Sequence, residues 1–384
     1  FAAITAAALG LSIRFGPPTA LLGLAGGLAA PAMIGGLDSN VSLLAVYLGL
    51  TIAGMAGVSR MQRWPMLGLA ALVGGAGWSL WMILASNALD VIGSLSVGGF
   101  VILLAIGLPL LVMRGPRAAL MRSAAAIVGA AQLAMLVAFG GFEPLHWGLF
   151  ALLAAAGQWL SWREKGFEIV PTISLGTSVM LLAIWGDASA FWFTLIGGSL
   201  AVIHAGPLLW KMWRIPSRVQ DALELSGLAV AIPALSMIHF YLFDGSRDLL
   251  FAVLTFAASL IPAVAVATGW KSEGRDGDTR FMWLTATSGI LLVGALCFAM
   301  PSWLWPLGLA AVAAGLLLFG ERASDHRLEP VSAIFAAATF PLALITMQGD
   351  GIELVRLVSG NGAAIDIHAG LRWTGLTALF LVFA

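Results

Sequence analysis

Apolar residues run along this chain in long unbroken blocks, separated by short polar and basic punctuation. A helix that crosses a membrane needs ~20 apolar residues, because ~1.5 Å of rise per residue must cover a hydrocarbon core of ~30 Å. Blocks of that kind predict helices over 1–13, 19–34, 41–58, 66–85, 91–113, 118–140, 147–162, 169–186, 190–213, 221–243, 249–268, 281–300, 303–319, 331–347 and 371–384. The architecture they imply is all-α, a polytopic transmembrane helical bundle of about 15 spans, with the first and last cut short by the chain ends. Strands of a membrane barrel alternate in hydrophobicity over about ten residues. These blocks are continuous and rich in Leu, Ala and Gly, so the helical reading stands.

No connection is long enough to hold a folded soluble domain, and the pattern predicts one transmembrane domain over 1–384. The longest break, Gln348 to Gly370, places glycines around the short Ile352–Val358 stretch and reads as a loop lying on the membrane surface. The chain opens on Phe1 and ends inside an apolar run, as expected of a piece of a longer protein. No basic stretch followed by an apolar core and a cleavage site marks a signal peptide at its start.

Composition sharpens the class. Of 384 residues, 60% are hydrophobic and 10% charged, against ~45–50% and ~25% in soluble domains. So little polar surface cannot cover a water-facing exterior, which excludes soluble globular, disordered and fibrous classes. Lys+Arg and Asp+Glu are both 19, so no net field attracts nucleic acid. The expected partners are membrane lipids.

The basic residues are distributed unevenly. All but Arg247, Arg356 and Arg372 fall on alternate connections: Arg14; Arg60 and Arg63; Arg114, Arg117 and Arg122; Arg163 and Lys165; Lys211, Arg214 and Arg218; Lys271, Arg275 and Arg280; Arg322 and Arg327. The positive-inside rule makes that side cytoplasmic. Asp38, Asp90, Glu143, Asp187 and Asp244 then face outward.

Near the start, Gly23–Pro31 (GLAGGLAAP), Asp38-Ser39-Asn40, Tyr47, and Arg63-Trp64 ahead of Leu69–Gly74 form a recognisable series. It resembles the bacterial multi-pass membrane proteins grouped as domain of unknown function 2339. That family typically shows a Gly-Gly-x-x-Thr-Pro-like run, an Asn after the following turn, and a basic-Trp connection. Ala30 departs from it, standing where a Thr is common before the proline. The resemblance implies further spans beyond this chain and a cytoplasmic N-terminal segment of coiled-coil character. It brings no activity with it.

Ionisable groups deep in lipid cost at least ~2.5–3.5 kcal/mol, so each is a functional candidate. His204 is the foremost, in a span interrupted by Gly206 and Pro207, where freed carbonyls suit a substrate or proton contact. A neutral histidine bonded to a neighbouring helix is the plainer alternative. Gln132 and Gln158 complete the set of substrate-path candidates, each equally suited to an interhelical hydrogen bond. His239 beside Tyr241 reads as an interfacial anchor. No His-x-x-x-His or Glu-x-x-His spacing appears, and Cys297 is the single thiol, so no metal or other cofactor is expected. Gly23 with Gly27, Gly68 with Gly75, and Gly294 with Ala310–Ala314 read as helix packing faces.

Two functional classes follow. Many spans, short loops and Gly/Pro-interrupted helices suit a transporter-like protein, or a membrane scaffold. Scarce buried charge disfavours proton or sodium coupling and points to an apolar or lipid-like substrate. The alternative is a membrane-embedded glycosyl- or acyl-transferase acting on lipid-linked envelope substrates. It would use an outer-face carboxylate, with Asp38, Asp90 and Asp244 available. The absence of a paired-carboxylate motif ranks this enzymatic reading second.

Overall fold

In the computed structural model the described residues are 7, 10–11, 14–33, 40–85, 89–112, 118–214, 219–241, 248–272 and 278–358. They are almost entirely helical, and no strand occurs among them. The helices are α1 (Pro17–Met33), α2 (Val41–Gln62), α3 (Pro65–Ala85), α4 (Val91–Ile102), α5 (Leu108–Val112), α6 (Ala118–Phe139) and α7 (Pro144–Ser161). There follow α8 (Val170–Ile184), α9 (Ala190–Lys211), α10 (Val219–Ser236), α11 (Asp248–Gly269), α12 (Thr279–Ala299), α13 (Trp305–Ala323) and α14 (Leu328–Val358).

Local chemistry sets the helix ends. Asn40 caps α2 by accepting the backbone N–H groups of Ser42 and Leu43, and Asp90 caps α4 by accepting that of Gly93. Asp278 does the same for α12 with the N–H of Arg280. Each side-chain oxygen satisfies donors that the first turn leaves without partners. Arg63 and Ser324 close α2 and α13 in the left-handed region. Two π turns break the regular winding, Leu103–Gly107 between α4 and α5 and Met237–Tyr241 after α10. Pro109 and Pro233 lie beside them. Pro109 lacks the N–H that an α-turn would give to the Ala105 carbonyl, which lies inside the first of these wider turns.

Nine of the described helical segments are long and apolar enough to cross a membrane: Val41–Gln62, Pro65–Ala85, Val91–Leu111, Ala118–Phe139, Ala190–Lys211, Val219–Phe240, Asp248–Gly269, Thr279–Ala299 and Trp305–Ala323. The expected count of about 15 is not reached by this measure. α1 and α8 fall short with 17 and 15 residues. In α14, Leu328–Ala343 counts only as a shorter apolar helix. The expected helices at 1–13 and 371–384 lie largely or wholly outside the described residues. The break expected over Gln348 to Gly370 does not begin at Gln348, and its part from 359 on lies outside the described residues. α14 continues through Gly349 and Gly351 to Val358, since glycine costs a helix only ~1 kcal/mol and does not stop it as proline would.

The chain divides into two compact units, Phe1–His204 and Ala205–Ala384. In the first, small residues bring helices close. A Cβ on Gly129 of α6 would lie 2.3 Å from Ala105 Cβ in the π turn, and one on Gly75 of α3 would meet Ile52 and Leu104. Gly166 turns the α7–α8 connection with φ +99, and a Cβ there would strike the Ala119 backbone at 2.6 Å. Bonds between helices add to this packing: Tyr47 donates to the Gly27 carbonyl and Trp78 to that of Leu28. In the second unit, α11 and α12 lie side by side. Ser288 donates to the Ser259 carbonyl, and Gly294 presents its open side to Thr255 of α11. The Gly294 packing face therefore meets the preceding helix, not the Ala310–Ala314 stretch after it.

A buried polar chain and an apolar groove

In the first unit three polar side chains from an apolar background meet at one point. His204 of α9 is 1% exposed, and Gln158 of α7 and Ser178 of α8 are buried beside it. Gln158 Nε2 lies 3.1 Å from His204 Nδ1, and Ser178 Oγ lies 3.3 Å from His204 Nε2. Ser178 Oγ in turn donates to the Ser174 carbonyl at 2.7 Å. These contacts fix one proton arrangement. The Gln158 amide donates to Nδ1, so the ring carries its proton on Nε2 and donates it to Ser178, whose own proton goes to Ser174. The chain is satisfied with the histidine neutral. A doubly protonated ring would turn the Gln158 amide N–H away. Two of the three expected substrate-path residues are thus brought together, as partners for each other.

Gln132 lies elsewhere, on α6. Its Nε2 donates to the Ala76 carbonyl at 2.7 Å and its Oε1 accepts from Ser79 at 2.9 Å, tying α6 to α3. A third pair was not anticipated from the sequence: Ser94 of α4 bonds His146 Nε2 of α7 at 2.9 Å. Next to it Trp147 packs with Phe142, Phe150 and Trp185. His146 stands three residues past Glu143 at a helix start, where it looks like a loop residue, and only the serine at mid-block in α4 hinted at a partner.

Of the carboxylates expected on the outer face, Asp90 is engaged as the α4 cap, its Oδ1 taking the Gly93 N–H at 2.8 Å. Asp38 and Asp244 lie outside the described residues. Among the described residues no group of three or more His, Cys, Asp or Glu is placed to hold a metal.

An apolar groove was likewise unforeseen. In the second unit an open groove of about 840 Å³ runs between α11, α12 and α13. Its floor is built from residues such as Val266, Gly289, Leu292, Leu296, Val312 and Leu316. Glycine creates the space: a Cβ on Gly315, at the groove wall, would meet nothing within 4 Å. One end carries Trp270 and Lys271, where Trp270 packs with Phe281 and Phe319. Beside that end, Arg280 holds Asp278 through Nε at 2.7 Å, donates to the Met212 carbonyl at 2.9 Å and lies over the Trp213 ring. Burial alone would raise the Asp278 carboxyl. Its bonds to Arg280 and the charges of Arg280 and Arg327 hold it below the ordinary value.

Three hydroxyls line the groove. Thr268 and Ser288 donate to backbone carbonyls, whereas Thr285 Oγ1 is buried without a partner. Such an arrangement is suited to holding an apolar chain; it presents no nucleophile activated by a base.

The family model described as "Predicted membrane protein (DUF2339)" matches residues 1–383. No curated protein and no solved structure matches the chain.

Proposed function

Since the chain belongs to the DUF2339 family of predicted membrane proteins, we propose that it is a transporter-like multi-pass protein that handles an apolar or lipid-like substrate along the groove between α11, α12 and α13. The observation that carries this reading is the groove itself: about 840 Å³, lined by apolar side chains and set among three helices long and apolar enough to span a membrane. Ligand sites are concave and mostly apolar, with volumes of ~300–1,000 Å³. The buried polar groups of the first unit support the same reading from the other side. Gln132, Gln158 and His204 are bonded to their neighbours, which leaves the His204 chain no proton to pass in its neutral state.

In the same reading the remaining helices α1, α7, α8 and α14 also cross, towards a total of about 15 spans. The membrane is the bacterial inner membrane, with the Arg/Lys-rich connections cytoplasmic.

The test is lipid movement in reconstituted vesicles. Protein incorporated into liposomes carrying a headgroup-labelled fluorescent lipid should accelerate its exchange between leaflets, read by quenching with a membrane-impermeant reductant. Gly315→Leu, which fills the groove, should slow that exchange at equal incorporation. Rates equal to those of protein-free vesicles would overturn the transporter-like reading.

A further inference from the structure

We infer that the groove between α11, α12 and α13 binds an anionic glycerophospholipid, with its phosphate at Lys271, an ester carbonyl at Thr285 and one acyl chain on the apolar floor. This deepens the reading above and rests on it.

The groove is graded along its length in the order that such a lipid is graded. Among the described residues Lys271 is the one ionisable side chain in its lining, and it is exposed at the end where Trp270 sits. Tryptophan beside lysine at a span end is the pairing that settles at headgroup level, the ring at the interface and the ammonium in reach of phosphate. The neighbouring Asp278 carboxylate is taken up by Arg280.

One tier deeper stands Thr285. It is 7% exposed, lines the groove, and its hydroxyl has no hydrogen-bond partner. In lipid a buried hydroxyl is normally bonded, most simply to the carbonyl one turn back, as Thr287 is to Trp283. An unsatisfied one costs free energy until a ligand supplies an acceptor. From the start of α12 at Thr279, Thr285 is ~9 Å along the axis at 1.5 Å per residue. The glycerol linker places an ester carbonyl below its phosphate, on the side of the apolar floor, and that carbonyl can accept but not donate.

Below Thr285 the lining offers no further unpartnered polar group. From Thr285 to Leu296 the floor extends ~16 Å at the same rise, about half of a ~30 Å hydrocarbon core. That is the depth of one leaflet and of one acyl chain. A free fatty acid would satisfy Lys271 and the floor but would leave Thr285 without a carbonyl at its depth. A zwitterionic lipid would set a second positive charge close to Lys271. The anionic diacyl lipid satisfies all three tiers.

The test uses the full chain in detergent, with lipid retention read by native mass spectrometry against phosphatidylglycerol and phosphatidylcholine of identical acyl chains. The expected result is preferential retention of phosphatidylglycerol. Lys271→Glu should remove the preference by lowering phosphatidylglycerol retention relative to that of phosphatidylcholine. Thr285→Val, a change of shape-matched methyl for hydroxyl, should weaken ester-linked phosphatidylglycerol about threefold to tenfold, the worth of one hydrogen bond, and leave the ether-linked analogue unaffected. Equal retention of both headgroups, or a preference that survives Lys271→Glu, would overturn the headgroup assignment while leaving the groove as an apolar site. An equal effect of Thr285→Val on ester and ether lipids would overturn the carbonyl contact. Retention of neither lipid, or retention unaltered by Gly315→Leu, would overturn the groove reading as well.

Discussion

At the residue scale the structure separates polarity that packs from polarity that waits for a ligand. His204, the foremost candidate in the sequence, sits in a closed chain with Gln158, Ser178 and Ser174. What the sequence could show was that a polar group in an apolar span needs a partner. It could not show which helix supplies it, because Gln158 and His204 are joined only when α7 and α9 pack. Thr285 shows the opposite case, since in sequence it is one more threonine in a helix and only its missing partner marks it. The closed chain leads to a specific expectation. His204→Ala should lower the thermal unfolding midpoint in detergent, because it strands the Gln158 amide. Gln158→Leu in the His204→Leu background should cost little further, giving a coupling of about 0.6–2 kcal/mol in a double-mutant cycle. Additive losses would mean that the two side chains do not hold each other.

At the scale of elements, helix positions were legible because apolar blocks and caps are local features. Asn40, Asp90 and Asp278 stand in the sequence just ahead of the helices they cap. The run of α14 past Gln348 was not legible. Glycines around Gln348 suggest a break, yet a helix tolerates them, and no proline stands there to end it. Connections carry the sidedness, and two described ones differ sharply: Arg163 and Lys165 lie between α7 and α8, and Asp187 between α8 and α9. On the positive-inside rule they lie on opposite sides of the membrane. In a Cys297→Ser background, Asp187→Cys should react with an impermeant maleimide on intact cells, and Lys165→Cys only after permeabilisation. Labelling of both, or of Lys165→Cys alone, would contradict the proposed orientation.

At the scale of the whole molecule, composition alone places the chain in a membrane: with 60% hydrophobic and 10% charged residues there is no other solvent for its surface. Small residues then serve in two ways, seen in one example from each compact unit. In the first, Gly75 and Gly129 are filled by neighbouring side chains and close the packing. In the second, Gly315 faces open space and leaves a groove. The same residue type thus reads as packing in one place and as a binding surface in the other, which no linear pattern distinguishes.

The central claim is that a lipid chain occupies that groove in preference to the rest of the apolar exterior. The most direct measurement is crosslinking in membranes with phosphatidylglycerol that carries a photoreactive group on its acyl chain, followed by peptide mapping. Adducts should concentrate on groove residues of α12 and α13, such as Leu292, Leu296, Val312 and Leu316, and should fall sharply in Gly315→Leu. Adducts spread evenly over outward-facing residues such as Leu22, Leu50 and Val202, with no change in Gly315→Leu, would contradict it.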